Sequence, residues 1–310
     1  NMEGKTDPIE ISLDCGVERE YEAVLLTGEK TAENTFEEPE KVSDKTVKME
    51  GASKKFIYEA PAYSVSVLRL KKKQAFNPYL PSWEYIPDGE PYVFGDRVYV
   101  YGSHDFYNGH VFCLGDYVCW SAPVDNLADW RYEGVIFRKD QTPWNTRNQV
   151  YYAPDCVQGP DGRYYLYYFV VNSSIISVAV CDKPAGKYEY LGDVSLPDGH
   201  AYGTKSEEWF TFDPAVLVDD DRRIWLYTGS SQPENGQYGH EIKGCFVMEL
   251  AADMLTVISK PKILLPAKWV YTEPNFFEGA SIRHIGEWYY LVYPATNMTG
   301  LNYSMSRFPD

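Results

Sequence analysis

The sequence of 310 residues lacks any long apolar stretch, and its longest apolar run covers only the eight residues 164–171. A membrane-spanning helix needs about 20 such residues, so we expect no membrane partner. Residues 1–5 also show no basic segment followed by an apolar one, so no secretion signal is visible. The sequence therefore leaves the compartment open.

Positive charge is scarce. The chain has 29 Lys and Arg against 45 Asp and Glu, which gives a net charge of −16 and a pI near 4.8. Such a field repels polyphosphates, so we expect no nucleic acid partner.

Paired cysteine motifs are absent. The six cysteines include no CxxC motif, and no histidine stands at the spacing of a zinc ligand. We therefore predict no metal site for the chemistry and expect reduced, packed thiols. Cys113 and Cys119, six residues apart, are the one pair close enough in sequence for a local disulfide.

Aromatic residues are abundant but unevenly distributed. They make up 16% of the chain, which supports a packed core and excludes global disorder. Residues 1–73 contain five of them, whereas the rest of the chain holds 44, including all eight Trp. A basic cluster at residues 70–78 (LKKKQAFNP) indicates the end of a strand followed by a linker. We place the boundary at 72–77, between domains 1–73 and 78–310.

The first domain shows short β-type runs at 22–28 and 64–70 and few helical periodicities, which predicts a small antiparallel β-sandwich. Three of its motifs, at residues 26–28 (LTG), 33–42 (ENTFEEPEKV) and 61–70 (PAYSVSVLRL), resemble the C-terminal β-sandwich of family 51 α-L-arabinofuranosidases. The catalytic glutamates of that family lie on a barrel that precedes the sandwich. The resemblance thus implies that residues 1–73 contain no catalytic residues.

The second domain contains a repeat of about 60 residues. Four segments, at 95–101, 162–168, 222–227 and 286–293, each consist of a turn and an aromatic β-type run. Each segment follows an acidic residue at a similar distance. The four acids are Asp88, Asp155, Asp213 and Glu278, and the successive intervals between them are 67, 58 and 65 residues. A repeat of short strands without amphipathic helices predicts a β-propeller. Because the first strand of each blade lines the central channel, we expect the acids to converge at one end of it.

Converging carboxyl groups suit glycoside hydrolysis. Inversion needs a carboxylic acid that protonates the leaving oxygen and a carboxylate that activates water, roughly 6.5–9.5 Å apart. A third carboxylate nearby can raise the pKa of the acid by repulsion. The sequence therefore predicts a glycosidase.

The contexts of these acids make the prediction more specific. Residues 87–91 (PDGEP), 152–155 (YAPD), 212–215 (FDPA) and 276–283 (FFEGASIR) follow one another in the order of glycoside hydrolase family 43. Residues 78–310 resemble that family, whose members are five-bladed propellers that remove arabinose or xylose from plant polysaccharides.

The resemblance implies a role for each acid. Asp88 matches the general base, Asp155 the carboxylate that raises the pKa of the acid and orients it, and Glu278 the general acid. Asp213 matches a recurring blade acid outside the catalytic three. The base motif departs from the Asp-Pro usual in the family, so Glu90 remains an alternative to Asp88.

Aromatic and arginine side chains are candidates for sugar binding, because aromatic faces stack on the C–H surfaces of sugars and polar tips bind hydroxyls. Each aromatic could equally belong to the core. The candidates are Trp83, Phe94, Trp144, Tyr152, Phe212 and Arg283, with His104 as a further residue of the same kind.

The length accommodates about four blades, because five blades of this size need about 300 residues and only 231 follow position 79. We therefore expect an all-β chain with a sandwich segment and a propeller truncated after about four blades. The open edges of such a propeller favour self-association. The chemistry needs no cofactor, and a complete propeller would admit a structural calcium ion.

The leading interpretation is an inverting, exo-acting hydrolase that releases L-arabinofuranose or D-xylose from arabinoxylan-type hemicellulose, with hemicellulose-derived oligosaccharides as its partners. Two alternatives stay open. One is a non-catalytic carbohydrate-binding or interaction fragment of a larger bifunctional enzyme, and the other is a propeller enzyme acting on fructosides or mannosides. The sequence does not separate arabinosidase from xylosidase, because that choice depends on the walls of the pocket.

Overall fold

A computed structural model describes residues 1–73, 78–233 and 239–310. Within these ranges the chain is all-β, with 20 strands, one 3-10 turn at Lys139–Gln141 and no α-helix. No described helix has the length and apolar character needed to cross a membrane. The predicted boundary at 72–77 falls mainly on residues 74–77, which lie outside the described residues.

The chain forms two compact units, residues 1–79 with 122–130 and residues 80–121 with 131–310. The first unit contains a two-stranded sheet, β1–β4, and a three-stranded sheet in the order β3–β2–β5. Tyr21 and Ala23 are both buried along β2, and Tyr21 packs with Val17, Tyr58 and Ala60 in a small core. The strands of this unit are β1 (Asp7–Ser12), β2 (Val17–Thr27), β3 (Asp44–Glu50), β4 (Lys55–Ala60) and β5 (Ser64–Lys72).

The second unit consists of four successive antiparallel sheets, each with its strands in chain order. The four repeated aromatic segments, which were predicted as strands, form the second strand of each sheet. The first sheet contains β6 (Glu90–Phe94), β7 (Arg97–Tyr101), β8 (Tyr117–Pro123) and β9 (Arg131–Phe137), and the second contains β10 (Tyr151–Gln158), β11 (Tyr164–Val170), β12 (Ile176–Cys181) and β13 (Glu189–Asp193). The third contains β14 (Ala215–Val218), β15 (Ile224–Ser230), β16 (Gly244–Leu250) and β17 (Lys262–Pro266), and the fourth contains β18 (Ser281–Ile285), β19 (Trp288–Pro294) and β20 (Leu301–Ser306).

The second strands of the middle two sheets, β11 and β15, are buried on both faces, which explains their near-continuous apolar sequences. Along β11, Tyr167 and Phe169 belong to a cluster shared with the third sheet, whereas Leu166 and Tyr168 belong to a cluster shared with the first. A strand that alternates its side chains between two cores must lie between two packed sheets. The sheets therefore stack face to face in chain order, as blades do, without closing a ring of sheets.

The first strands of the four sheets share a common centre. β10 lies beside β6 and β14, and β14 lies beside β18. An ion pair from Arg283 on β18 to Glu90 on β6, 2.9 Å long, connects the last sheet with the first. The segments that precede these strands consequently meet in one place.

Candidate active site

Asp88 lies two residues before β6, in a turn where its backbone has the left-handed φ of +55°. The buried hydroxyl of Ser103 donates a hydrogen bond of 2.8 Å to its Oδ2. Burial raises the pKa of Asp88, the Ser103 bond lowers it, and the nearby charge of Asp105 raises it. Ser103 thus orients one oxygen of this carboxylate and stabilises its charged form.

Glu278 lies three residues before β18. The side-chain amide of Gln232 donates a hydrogen bond to its Oε2. Burial raises the pKa of Glu278 to about 7, with the Gln232 bond lowering it and the charge of Asp88 raising it. A glutamic acid in this state retains its proton at the pH where an ordinary glutamate has lost it, as a general acid must.

Asp213 lies two residues before β14, again at a left-handed φ, here +42°. Asp213 is only 6% exposed, and its Oδ1 has no hydrogen-bond partner among the described residues. Burial and the charges of Glu278 and Asp88 raise its pKa well above the ordinary value. Buried polar atoms are normally paired, so an unpaired buried carboxyl oxygen is an exception that is typical of functional sites.

The three acids line one cavity of about 460 Å³, a size typical of small-molecule sites. They come from three different sheets, so neither sequence proximity nor a single strand brings them together. The other lining residues are Pro87, Asp105, Phe112, Cys113, Tyr152, Phe169, Val171, Phe212 and Gln232. A second depression of about 650 Å³ adjoins the same acids on the side of Glu90 and Arg283.

Asp155, in contrast to the prediction, does not line either depression. It lies within β10, opposite Tyr167, whereas the other three acids precede their first strands. Its Oδ1 accepts a bond from the backbone of Cys156 and its Oδ2 one from the backbone of Val216, at 2.8 and 2.7 Å. The residue is 1% exposed, and its carboxyl group holds β10 against β14.

Glu90 and Arg283 belong to the same inner network. Glu90 accepts bonds from Arg283 and Ser281, at 2.9 and 3.0 Å. Arg283 also donates to the hydroxyl of Tyr92, which in turn bonds to Asp155. The carboxylate of Glu90 is therefore engaged in ion pairing and lies outside the 460 Å³ cavity, which favours Asp88 over Glu90 as the base.

Two of the predicted aromatic residues, Tyr152 and Phe212, line the cavity. The structure does not place the other three there. Trp83 is 65% exposed and packs against Trp120, so it belongs to a different surface. Phe94 packs in the cluster between the first two sheets, against Tyr92, Tyr99 and Tyr164.

Trp144 and His104 likewise have other partners. The indole of Trp144 donates to Asp193 at 3.1 Å, and its ring packs on the same cluster as Phe94. The ring of His104 bonds to Glu84 at 3.0 Å and to the backbone oxygen of Asp116 at 2.9 Å. Both residues have structural contacts that account for them.

Sequence reasoning missed six cavity residues: Phe169 near the end of β11, and the loop residues Asp105, Phe112, Cys113, Val171 and Gln232. Cys113, for example, lies at a left-handed φ of +60° and donates its backbone N–H to Asp105 at 2.6 Å. Such loop residues carry no periodic signal, so the repeat could not indicate them. Asp213 was visible as a repeated acid but had been given no catalytic role. All six cysteines are free, so no bridge links Cys113 and Cys119.

Residues 86–307, which include all of these acids, match the glycosyl hydrolases family 43. The chain belongs to glycosyl hydrolase family 43. It is 52% identical over 244 residues to a xylosidase/arabinosidase of Thermoclostridium stercorarium, a match that covers 77% of this chain and 50% of that protein. A xylosidase/arabinosidase of Bacteroides ovatus is 25% identical over 248 residues, which is 69% of this chain and 72% of the relative.

A solved structure shows the same family fold. The crystal structure of the GH43_1 enzyme from Xanthomonas citri complexed with xylose superposes with a TM-score of 0.58 and 25% identity, covering 74% of this chain and 72% of that one. This family 43 chain spans about half the length of the first curated relatives that it matches.

One group of described residues in this family 43 chain, Asp219, Asp220 and His284, lies within the dimensions of a metal site. The imidazole of His284 already bonds to Asp219 at 2.7 Å, and the hydroxyl of Tyr289 donates to the other oxygen of Asp219 at 2.5 Å. Calcium prefers six to eight oxygen ligands. A donor set whose central carboxylate is already paired with a histidine and a tyrosine does not fit that ion.

Proposed function

We propose that this family 43 chain is an inverting, exo-acting glycoside hydrolase that releases L-arabinofuranose or D-xylose from arabinoxylan-type hemicellulose. The observation that carries the proposal is the meeting of Asp88, Asp213 and Glu278 in one cavity, with an unpaired oxygen on Asp213. The two relatives described above, both xylosidase/arabinosidases, support the choice of sugar.

In this proposal Glu278 is the general acid. Its buried carboxyl group, with a pKa of about 7, protonates the glycosidic oxygen as the bond to the anomeric carbon breaks. Asp88 is the general base, held by Ser103, and takes a proton from the water that attacks the opposite face of the sugar. No covalent intermediate forms, because the displacement occurs in one step.

We assign the third carboxyl group to Asp213 instead of Asp155. Asp213 interacts electrostatically with both Glu278 and Asp88, and like charges in a buried site disfavour full ionisation of all three groups. Its residue lines the cavity, and its Oδ1 has no hydrogen-bond partner among the described residues. Asp155 meets neither condition, because its two oxygens bind backbone amides away from the cavity.

The experiment that tests the function compares substrates with good and poor leaving groups. Glu278→Gln should abolish turnover of xylo-oligosaccharides and arabinoxylan but spare aryl glycosides whose leaving group needs no protonation. Glu287→Gln is a matched control, because Glu287 is exposed and pairs with Arg307 on the surface of the same sheet. Equal losses on both substrate types would contradict the role of Glu278. No release of pentose by the unaltered chain would contradict the function.

We further propose that the four sheets are blades of a five-bladed type of propeller over residues 78–310 and that residues 1–73 correspond to the C-terminal β-sandwich of family 51. The face-to-face stacking of the four sheets supports the first part, and the two small sheets of residues 7–72 support the second. The proposed chemistry uses only carboxyl groups. A structural calcium ion in a complete propeller and self-association through open edges stay predictions.

A further inference from the structure

The proposed base and acid lie beside the first and the last of the four sheets. Asp88 precedes β6 in the first sheet, and Glu278 precedes β18 in the fourth. Along the packed strands, β6 is connected to β18 by way of β10 and β14. An inverting hydrolase needs its two carboxyl groups roughly 6.5–9.5 Å apart. The distance between the first and the fourth sheet must therefore be fixed.

A cluster of side-chain contacts joins these two sheets directly. The guanidinium group of Arg283 donates to Oε2 of Glu90 at 2.9 Å and to the carbonyl of Pro91 at 3.0 Å. It also donates to the hydroxyl of Tyr92 at 3.0 Å, and its Cζ lies 4.2 Å from the centroid of that ring. The hydroxyl of Ser281 donates to the same oxygen of Glu90 at 3.0 Å. One arginine of β18 thus holds three successive residues of β6, and we call this set of contacts the β6–β18 clamp.

The clamp lies close to both carboxyl groups along the chain. Glu90 stands two residues after Asp88, and Ser281 stands three residues after Glu278. The side chains of Glu90 and Arg283 are only 20% and 29% exposed, and charge-assisted hydrogen bonds between such groups are short and strong. Burial raises the pKa of Glu90, whereas the charge and the hydrogen bond of Arg283 lower it. Loss of the arginine would thus leave a largely buried carboxylate without its counter-charge.

The contacts of Arg283 occupy most of its binding capacity. From the sequence it is a candidate for sugar binding. Its two terminal nitrogens donate four hydrogen bonds within the protein, which use all four of their hydrogens. The acceptors are Glu90, Pro91, Tyr92 and Ile282. Arg283 also lies outside the 460 Å³ cavity of the three acids. Its partners are therefore groups of the protein instead of a sugar.

We propose that Glu90 and Arg283 are positioning residues, whose clamp sets the distance between the base Asp88 and the acid Glu278. This inference rests on the proposed function and extends it to two residues outside the cavity. A misplacement of about 1 Å can lower a catalysed rate by about 10²-fold. The clamp should therefore act on kcat and leave the binding of the sugar, which the cavity provides, almost unchanged.

Steady-state kinetics on an aryl pentoside tests the clamp. Arg283→Met keeps the length of the side chain but removes its charge and donors, so kcat should fall about 10²-fold with KM within about threefold. Arg283→Lys keeps the charge without the planar fork and should lose about tenfold. Glu90→Gln keeps an acceptor oxygen and should lose less than Arg283→Met. The double variant should lose no more than Arg283→Met alone, because the second substitution acts on a clamp that is already open.

Arg223→Met is the matched control. Arg223 also pairs with a glutamate, Glu249, at 2.7 Å and lies over an aromatic ring, that of Trp225, at 4.3 Å. Arg223 adjoins β15 and Glu249 lies in β16, so this pair stays within the third sheet and its loss should leave kcat within about twofold. Thermal melts establish the folded fraction of each variant. Isothermal titration with D-xylose and L-arabinose reports the cavity separately from turnover.

Several results would overturn the clamp while leaving the proposed function in place. One is an unchanged kcat in Arg283→Met, or a loss that a smaller folded fraction explains. Weaker saccharide binding at unchanged kcat would make Arg283 a sugar ligand. A loss in Glu90→Gln as deep as that in Asp88→Asn would make Glu90 the base. No release of pentose by the unaltered chain would instead overturn the proposed function, and the role of the clamp with it.

Discussion

The second and third sheets carry acids with the same sequence signal and opposite surroundings. Asp155 stands ten residues before Tyr165 in the aromatic strand of the second sheet. Asp213 stands twelve residues before Trp225 in the aromatic strand of the third. Both are buried. The carboxyl group of Asp155 accepts two backbone hydrogen bonds, whereas that of Asp213 has an unpaired oxygen in a cavity with two further acids.

The difference teaches that burial and repetition do not identify a catalytic acid. A buried carboxylate that accepts backbone bonds at both oxygens stabilises the fold, and it has no oxygen free for a substrate. A buried carboxyl oxygen without a partner is costly in the empty protein, and such a cost is typical of functional sites. Hydrogen-bond satisfaction therefore separates the two acids where the sequence pattern does not.

Between these two acids, the largest change should be the loss of catalytic activity in the variant Asp213→Asn. The substitution keeps the shape of the side chain but removes its charge from the acid cluster, so kcat/KM on pentosides should fall by about 10²–10⁴-fold. Asp155→Asn should cost far less activity, because that side chain lies outside the cavity. Steady-state kinetics on an aryl pentoside measures both. A reversed order of the two losses would restore Asp155 as the third catalytic carboxyl group.

The same pair should differ in stability in the opposite direction. Asp155→Ala leaves the N–H groups of Cys156 and Val216 without their acceptor, so the free energy of unfolding should fall by about 1–3 kcal/mol. Asp213→Ala leaves no buried N–H of the described residues without its acceptor and should cost less than that. Urea unfolding at one pH compares the variants. Equal losses would show that hydrogen-bond satisfaction does not distinguish these two acids.

Glu278 provides a pH-dependent form of the comparison. Its folded pKa, about 7, lies above its ordinary value of 4.5, so the folded state binds the proton more tightly and stability falls as the pH rises from about 4.5 to 7. Glu278→Gln removes this dependence. The variant should exceed the parent in unfolding free energy by about 1–3 kcal/mol at pH 8, with the gap closing near pH 4.5. A gap independent of pH would refute the raised pKa.

Ser103 should tune the base by a smaller amount. Ser103→Ala removes the donor that lowers the pKa of Asp88, so the acidic limb of the kcat/KM profile should move upward by about half to one pH unit. Ser103→Thr keeps a hydroxyl and should preserve the limb. The alkaline limb, which follows Glu278, is the internal reference. An unmoved acidic limb in the alanine variant would show that Asp88 is not the group titrating there.

The smallest effect should come from Trp83. This side chain packs on Trp120 away from the cavity, so Trp83→Ala should leave kcat/KM within about twofold. Phe212→Ala is the contrasting variant, because Phe212 lines the cavity and should lower activity more strongly. Kinetics of the two variants on the same pentoside tests whether the cavity walls are assigned correctly.

Much of the second unit was predictable because its physics is local. The aromatic strands at 97–101, 164–170, 224–230 and 288–294 follow from short apolar runs after turns, and their repeat indicated stacked sheets. Asp88 and Glu278 were found by the same repeat, and the structure brings them to one cavity. The loop residues Phe112, Cys113 and Gln232 were not found, because loops have no period.

The choice of Asp155 as the third carboxyl group had a different origin, because it came from the family resemblance and not from the repeat. The repeat itself hardly distinguishes the two acids: their distances to the next aromatic strand differ by two residues, which in a strand correspond to about 7 Å along the chain. An irregularity between Tyr152 and Asp155 in β10 adds to the displacement. A count along the sequence cannot register a bulge, and the contacts across the sheets can.

The sequence by itself determined the all-β architecture, the order of the strands and the set of acids from which a site could be built, because strand periodicity and turns are properties of neighbouring residues. Only the tertiary structure decided which acids share a cavity and which lies in a network of backbone bonds. That decision depends on interactions between residues more than 50 positions apart, such as the bond from the Val216 N–H to Asp155 and the electrostatic interaction of Asp88 with Glu278. Their geometry is set by the packing of one sheet on the next.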